Sequence, residues 1–477
     1  MHRGRIRLGI GALLGVLFAA AVGLRLFAVL AYWPAGLGKR DSAAYVRAAH
    51  NGLGLDTLDP SGYPLFLRAA HAISSQLVFT VALQHVLGLA SGLLVYLAVR
   101  RLGGPRWLGL IPAAVVWFNG DQIFFEHTLL TESLFVFLLS ALLYAAVRCL
   151  DDAPRRAWLW PVATGALAGA LLTVRSVSLL LAPLVIAWLA LALWRTGRPW
   201  LRGALAAAGA AFVVVAGYAA LRHDVTGRWA PVADGSGWIL YSRVAQFADC
   251  KRFTPPRGTR VLCETSPPDT RPGQLYYEWL GGPARRAFGD PPRHDATLAS
   301  FARAAIVHQP FDYLHTVGDD LRRYFDPSAG VTRFGGGADA DAFTFLREVP
   351  RYDSEVLREA HRYYHSFTPR AGDGAGLLSD YQRAIRVHGP LLLLFVVLGL
   401  AGLWAAAGRV RWALVLLVGL ELYLLIFPVA TTLYEWRFGI PGLGAGAAAA
   451  ALGGWSLAER VRARRSSVVP ARAQVSS

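Results

Sequence analysis

The sequence predicts an all-α membrane protein. Hydrophobic residues make up 55% of its 477 residues and mean hydropathy is +0.39. Apolar runs of about twenty residues, each long enough to cross a bilayer as a helix, recur along the chain. About ten such spans are read, near Leu8–Ala31, Leu77–Val99, Trp107–Phe124, Thr128–Val147, Trp158–Val174, Val177–Trp194, Leu201–Leu221, Pro390–Ala407, Trp412–Val429 and Phe438–Trp455. A signal peptide is the alternative reading of the first run, but the run is long for a signal core and more spans follow it, so a retained helix is favoured.

The arginines set the orientation. Arg3, Arg5 and Arg7 precede the first span, and Arg100, Arg101 and Arg106 fill the turn after the second. Further clusters lie at Arg148, Arg155 and Arg156, at Arg195, Arg198 and Arg202, at Arg409 and Arg411, and at Arg460, Arg462, Arg464 and Arg465. If the spans simply alternate, all of these fall on one side, which the positive-inside rule makes cytoplasmic, with both termini there. The net charge of +17 and pI of about 10.3 then reflect topology and anionic lipid rather than nucleic acid. The expected divisions are a transmembrane module over 1–221 with its first outer loop at 32–76, an extracytoplasmic cap region over 222–388, C-terminal spans over 389–456 and a basic cytoplasmic tail over 457–477.

In the cap region, Pro255-Pro256, Pro267-Pro268, Pro291-Pro292 and Gly335-Gly336-Gly337 punctuate loops. Between them Leu298, Phe301, Ala302 and Ala305 follow helical spacing, as do Phe311, Leu314, Val317 and Leu321 after Pro310. A small, mostly helical cap lying on the membrane face is expected. Cys250 and Cys263 both fall there, on the oxidising side, and are expected to pair as a disulfide, with two unpaired neighbours as the alternative. Cys149 falls at the inner end of the fourth span, where thiols stay reduced.

Polar residues able to do chemistry collect on the outer face. Asp41 stands beside Lys39 and Arg40 just beyond the first span, where a carboxylate can stay ionised and meet a lipid phosphate or a sugar hydroxyl. Capping of a helix over 42–50 is its duller role. Glu126 reads as an interfacial acid or a catalytic one. Glu132 falls a turn inside an apolar run, where a charge is costly unless it faces a polar cavity or a neighbouring helix. Arg175 and Arg437 sit at the outer ends of spans, placed either to grip a phosphate in bidentate fashion or to snorkel to headgroups. Arg25, deeper in the first span, reads as structural.

Taken in order, these features resemble the GT-C superfamily of integral-membrane glycosyltransferases, in the branch of protein O-mannosyltransferases and aminoarabinose transferases (glycosyltransferase family 39-like). The resemblance rests on Arg25, on Asp41-x3-Tyr45 and Gly62-Tyr63-Pro64, and on Glu126-His127-Thr128-Leu129-Leu130-Thr131-Glu132-Ser133-Leu134-Phe135. It continues in Gly165-x3-Gly169-x3-Thr173-Val174-Arg175 and Tyr434-Glu435-x-Arg437-Phe438, and so covers the first two hundred residues and the last span. It implies a GT-C fold and transfer of a sugar, with inversion, from a polyprenyl-phosphate carrier to an envelope glycan, lipid or protein on the outer side. Asp41 would be the base, with Glu126 and Glu132 as further catalytic acids. Arg175, Arg437, Lys39 and Arg40 would bind the donor phosphate, and Tyr45, Tyr63, His127, Tyr434 and Glu435 would line the substrate site. The superfamily also allows a divalent ion bridged by Asp41 and an outer-loop glutamate.

Other motifs fail. His361-Arg362-Tyr363-Tyr364-His365 lacks the glutamate of a zinc-protease helix, the glycine triplet has no following lysine, and no nucleotide-binding loop is found. Two other classes stay open: a polymerase or ligase of polyprenyl-linked glycans, which would rest on arginines and histidines of the large loop, and a lipid-linked saccharide transporter or flippase, which predicts repeat halves not seen here.

Overall fold

A computed structural model describes residues 2–37, 39–53, 58–151, 158–229, 234–329, 343–349, 354–365 and 367–468; side chains at 2–8, 39–40, 279 and 466–468 are outside that description. The glycine triplet at 335–337 and the chain beyond 468 lie outside it as well.

Each apolar run of the N-terminal half forms helix. Helix α1 spans His2–Ala31 and leads through a short strand, β1 (Tyr32–Trp33), into the loop helices α2 (Lys39–Asn51) and α3 (Gly62–Ile73). There follow α4 (Leu77–Arg101), α5 (Leu110–Phe118), α6 (Gly120–His127), α7 (Glu132–Arg148), α8 (Leu159–Val174), α9 (Leu181–Arg195) and α10 (Trp200–Thr226). The expected third span is broken at Asn119, where the helix bends by 51°. Asn119 leaves helical geometry and its side chain accepts the Gln122 N–H at 3.0 Å, capping α6 as a new helix.

The cap holds α11 (Ser236–Ala245), α12 (Pro283–Phe288), α13 (Asp295–His308), α14 (Pro310–Arg323), α15 (Ser354–Tyr363) and α16 (Ala375–Ala384). Trp238, Tyr241, Phe253, Tyr277, Leu298 and Phe301 pack as a cluster of their own, and the Cys250–Cys263 disulfide, Cα atoms 5.8 Å apart, lies against it. The later helices of this region join the loop over 32–76 instead: α15 packs on α2, and strand β2 (Arg370–Ala371) pairs antiparallel with β1. The chain returns through α17 (Pro390–Ala405), α18 (Gly408–Thr431), the short α19 (Trp436–Gly439) and α20 (Leu443–Val468).

All ten expected spans have helical counterparts, but among the described residues five helical segments are by themselves long and apolar enough to cross a membrane, or six if the bent pair counts as one span. Most of the others are cut short by non-helical breaks, whereas α20 is 26 residues long but less apolar. Helix α7 starts only at Glu132 because Thr128 bridges Gly36 and the chain bends before it, and α8 and α17 have 16 residues each.

Small residues let these helices close without a hydrophobic drive between them. A Cβ at Gly165 would come within 1.9 Å of the Ala207 carbonyl oxygen and one at Gly169 within 3.0 Å of that of Ala211, so this glycine pair seats α8 on α10. Gly402 meets Gly453 in the same way between α17 and α20. A Cβ at Gly62 would lie 2.4 Å from the Thr173 carbonyl oxygen, so the Gly62-Tyr63-Pro64 turn is pressed against the end of α8 immediately before Arg175.

Candidate active site

Asp41 lies in the first turn of α2, where the helix dipole favours a carboxylate. Two contacts hold that helix end in place. Ser42 Oγ donates to the Leu129 carbonyl at 2.7 Å, and Gly36 exchanges backbone hydrogen bonds with His127 and Leu129 at 2.9 and 3.2 Å. Gly36 cannot carry a side chain, because its Cβ would lie 2.7 Å from Thr128 Oγ1.

Across from it stands Arg437, 396 residues later. Its Nη1 donates to Asp41 Oδ2 at 2.8 Å and its Nε to Glu435 Oε2 at 2.5 Å, while its guanidinium lies over Phe343 at 4.9 Å. Burial disfavours the charge on Arg437, but Glu435, Asp41 and Glu132 outweigh it and hold the guanidinium more firmly protonated than usual. Asp41 keeps 40% of its side chain exposed, so part of the carboxylate stays accessible.

A second pair stands beside the first. Arg175, just past the end of α8, donates through Nη1 to Glu132 Oε1 at 2.6 Å, with both side chains nearly buried. Glu132 is the first residue of α7, rather than a turn inside it, so its charge rests on a helix N-terminus and on an arginine. Both guanidinium groups approach the Phe438 ring, that of Arg175 at 5.3 Å and that of Arg437 at 5.4 Å. The buried Tyr45 reports the same convergence: its phenol is pushed well above the usual range, first by burial and then by the carboxylates of Asp59, Asp41 and Glu132. Asp41, Glu132, Arg175, Arg437, Glu435 and Tyr45 thus form one cluster of alternating charge.

Glu126 belongs to different company. It is wholly buried, receives both Nε and Nη2 of Arg25 at 2.8 Å, and also bonds His85 Nδ1 at 3.0 Å and Gln122 Nε2 at 3.1 Å. A Cβ at Gly88 would collide with its carboxylate, so α4 carries a glycine there. His127 is equally buried, its ring between His85 Nε2 at 3.2 Å and the Tyr32 carbonyl. Tyr63 donates to Gln84 Oε1 at 2.6 Å, and Gln84 in turn donates to the carbonyls of Glu126 and Thr128. Tyr434 packs edge-on to Tyr324 beneath Arg323. The polar atoms of Glu126, His127 and Tyr63 are thus engaged by protein partners in a buried network, whereas Asp41 stays partly exposed. The side chains of Lys39 and Arg40 lie outside the described residues.

Sequence reading missed Gln84 and His85, whose signal was their polarity inside an apolar span. It also missed the role of Asp121. This buried carboxylate accepts from Arg386 Nε and Nη2 at 3.0 and 2.7 Å, from Gln382 at 2.8 Å and from Trp436 Nε1 at 2.8 Å, so it ties α16 to the residue preceding Arg437.

Among the described residues no group of three or more His, Cys, Asp or Glu side chains is arranged to hold a metal ion. Asp41 and Glu132 each face a guanidinium, which repels a cation, and this donor set does not fit a divalent metal.

No family model and no curated protein matches the sequence. Solved structures do align with it. The chain is similar to the protein O-mannosyltransferase Pmt1-Pmt2 complex of S. cerevisiae bound to the sugar donor, at 16% identity and TM-score 0.37, over 49% of this chain and 36% of that one. It is similar to the Archaeoglobus fulgidus oligosaccharyltransferase, at 13% identity and TM-score 0.47, over 94% of this chain and 51% of that one. It is also similar to ArnT from Cupriavidus metallidurans bound to undecaprenyl phosphate, at 13% identity and TM-score 0.34, over 93% and 77%. The chain thus spans about half or less of the length of the first two.

Proposed function

We propose that this chain is an inverting membrane glycosyltransferase that moves a sugar from a polyprenyl-phosphate carrier to an envelope glycan, lipid or protein acceptor. The observation that supports this reading is the cluster itself: one partly exposed carboxylate, Asp41, held by Arg437, with Arg175 and Glu132 alongside and both arginines against the Phe438 ring. Inverting transfer needs those two functions side by side. The acceptor hydroxyl gives its proton to Asp41 as its oxygen forms a bond to the anomeric carbon. The bond from that carbon to the phosphate oxygen breaks, and the lipid phosphate leaves with the electron pair. Arg437 and Arg175 face the charge that grows on it, with planar donors suited to two-point contact with a phosphate.

In this reading the cluster lies on the extracytoplasmic face of the cell membrane, both termini are cytoplasmic, and the cap over 222–388 screens the site from the outside.

The test is Asp41→Asn, which keeps size and most hydrogen bonding but cannot take the proton. With purified protein and a panel of synthetic polyprenyl-phosphate sugars, transfer is expected to fall by about 10²-fold or more while donor binding survives. Near-wild-type turnover in a folded Asp41→Asn protein refutes the assignment.

A further inference from the structure

Helix α14 is apolar on a face that the protein only half covers. Leu314, Val317 and Leu321 recur at helical spacing and so share one face. Val317 and Leu321 pack on the core cluster that contains Leu425 and Val429 of α18, so this face looks toward the membrane helices. The other side of α14 is turned to the cap, where Asp320 and the Thr316 carbonyl receive Arg243 at 2.5 and 3.0 Å. Leu314 continues the membrane-side face beyond the edge of the bundle and is 60% exposed, and Phe311, a turn earlier, is 81% exposed. Val307, at the end of the adjoining α13, is exposed too.

Depth is fixed by a hydrogen bond. Tyr313 Oη donates to the Ala430 carbonyl at 2.9 Å, and Ala430 lies in the last turn of α18, a helix long and apolar enough to cross the membrane. One turn further into that helix Ile426 is exposed, as a lipid-facing side chain would be. The exposed corner of α13 and α14 therefore continues the apolar belt of α18 at the level where the span leaves the bilayer.

We infer that the corner formed by Val307, Phe311 and Leu314 inserts into the lipid leaflet at that end of α18 and anchors the cap to the membrane surface. Large apolar side chains beside a span's end gain by leaving water for the boundary of headgroups and acyl chains, and an amphipathic helix lying in that plane is the form such an anchor takes. A lipid surface is the occupant because the same helical face rests on membrane helices further along.

The inference is tested by nitroxide labels on single cysteines at Phe311→Cys and Leu314→Cys in a Cys149→Ala background, with Asp319→Cys on the opposite side of α14 as a reference. The protein is reconstituted into phosphatidylethanolamine and phosphatidylglycerol vesicles, and collision rates with oxygen and with a water-soluble nickel chelate are compared. Oxygen should dominate at Phe311 and Leu314, and the chelate at Asp319. Dominance of the chelate at Phe311 and Leu314 places the corner in water and overturns the inference. Spin–spin broadening at those positions that dilution with unlabelled protein removes means that a second copy covers the corner, and overturns it equally.

Discussion

Replacing Arg437 with lysine keeps the charge and removes the fork. In the folded protein the guanidinium uses two different edges, Nη1 to Asp41 at 2.8 Å and Nε to Glu435 at 2.5 Å, and lays its plane over Phe343. A lysine ammonium is a point charge on a flexible stem and cannot hold both carboxylates while presenting a flat face to a phosphate. A hydrogen bond to a charged group contributes about 1.5–3 kcal/mol, so losing one in the transition state slows transfer by roughly 10- to 150-fold. The assay is steady-state transfer from a synthetic polyprenyl-phosphate sugar, with kcat and KM separated and thermal unfolding run in parallel to show that the variant is folded. A fall in kcat and in kcat/KM together means that the contact is made as the phosphate leaves, whereas a rise in KM alone means ground-state donor binding. Unchanged kcat and KM in folded Arg437→Lys protein would refute the reasoning, because a side chain that merely reaches the headgroups is replaced freely by lysine.

Three further outcomes are expected. Glu126→Gln leaves Arg25 as a buried charge without its counter-ion, so unfolding in detergent should show a loss of about 3–5 kcal/mol, with donor KM unchanged in the folded fraction; a large KM effect at full stability would return Glu126 to the substrate site. Trp436→Phe removes the hydrogen bond that the Trp436 indole donates to Asp121 just before Arg437, and in a double-mutant cycle with Arg437→Lys the two effects on transfer should be non-additive; strict additivity would show that Asp121 and Trp436 do not position the arginine. Gly165→Val drives a side chain into the Ala207 carbonyl and should lower the unfolding temperature well beyond what Gly209→Val does, since Gly209 on α10 has open space around it; equal shifts would mean that α8 and α10 do not depend on this close approach.

The helices were readable one at a time because crossing a bilayer is a local demand: about twenty apolar residues suffice, whatever the rest of the chain does. The residues of the cluster were readable as types, and the arginine pattern gathered them as candidates for one face of the membrane. What stayed hidden was pairing. Nothing local joins Asp41 to Arg437 or Arg175 to Glu132, and those contacts exist only because α2, α7, α8 and α19 bring their ends together. Glu126 and Glu132 lie six positions apart in one stretch and look alike, yet the bend at Asn119 and the non-helical break at 128–131 send the first to Arg25 and the second to Arg175. The glycines at 165 and 169 read as part of a motif near the site, and their physical role is close packing of α8 on α10. Spacing put Leu314 on one face with Val317 and Leu321, but whether that face meets protein or lipid depends on where the bundle ends beneath it. Composition and periodicity determine which segments leave water; only the tertiary structure decides which charge each buried charge meets, because in a low-dielectric interior that partner comes from wherever the fold supplies it.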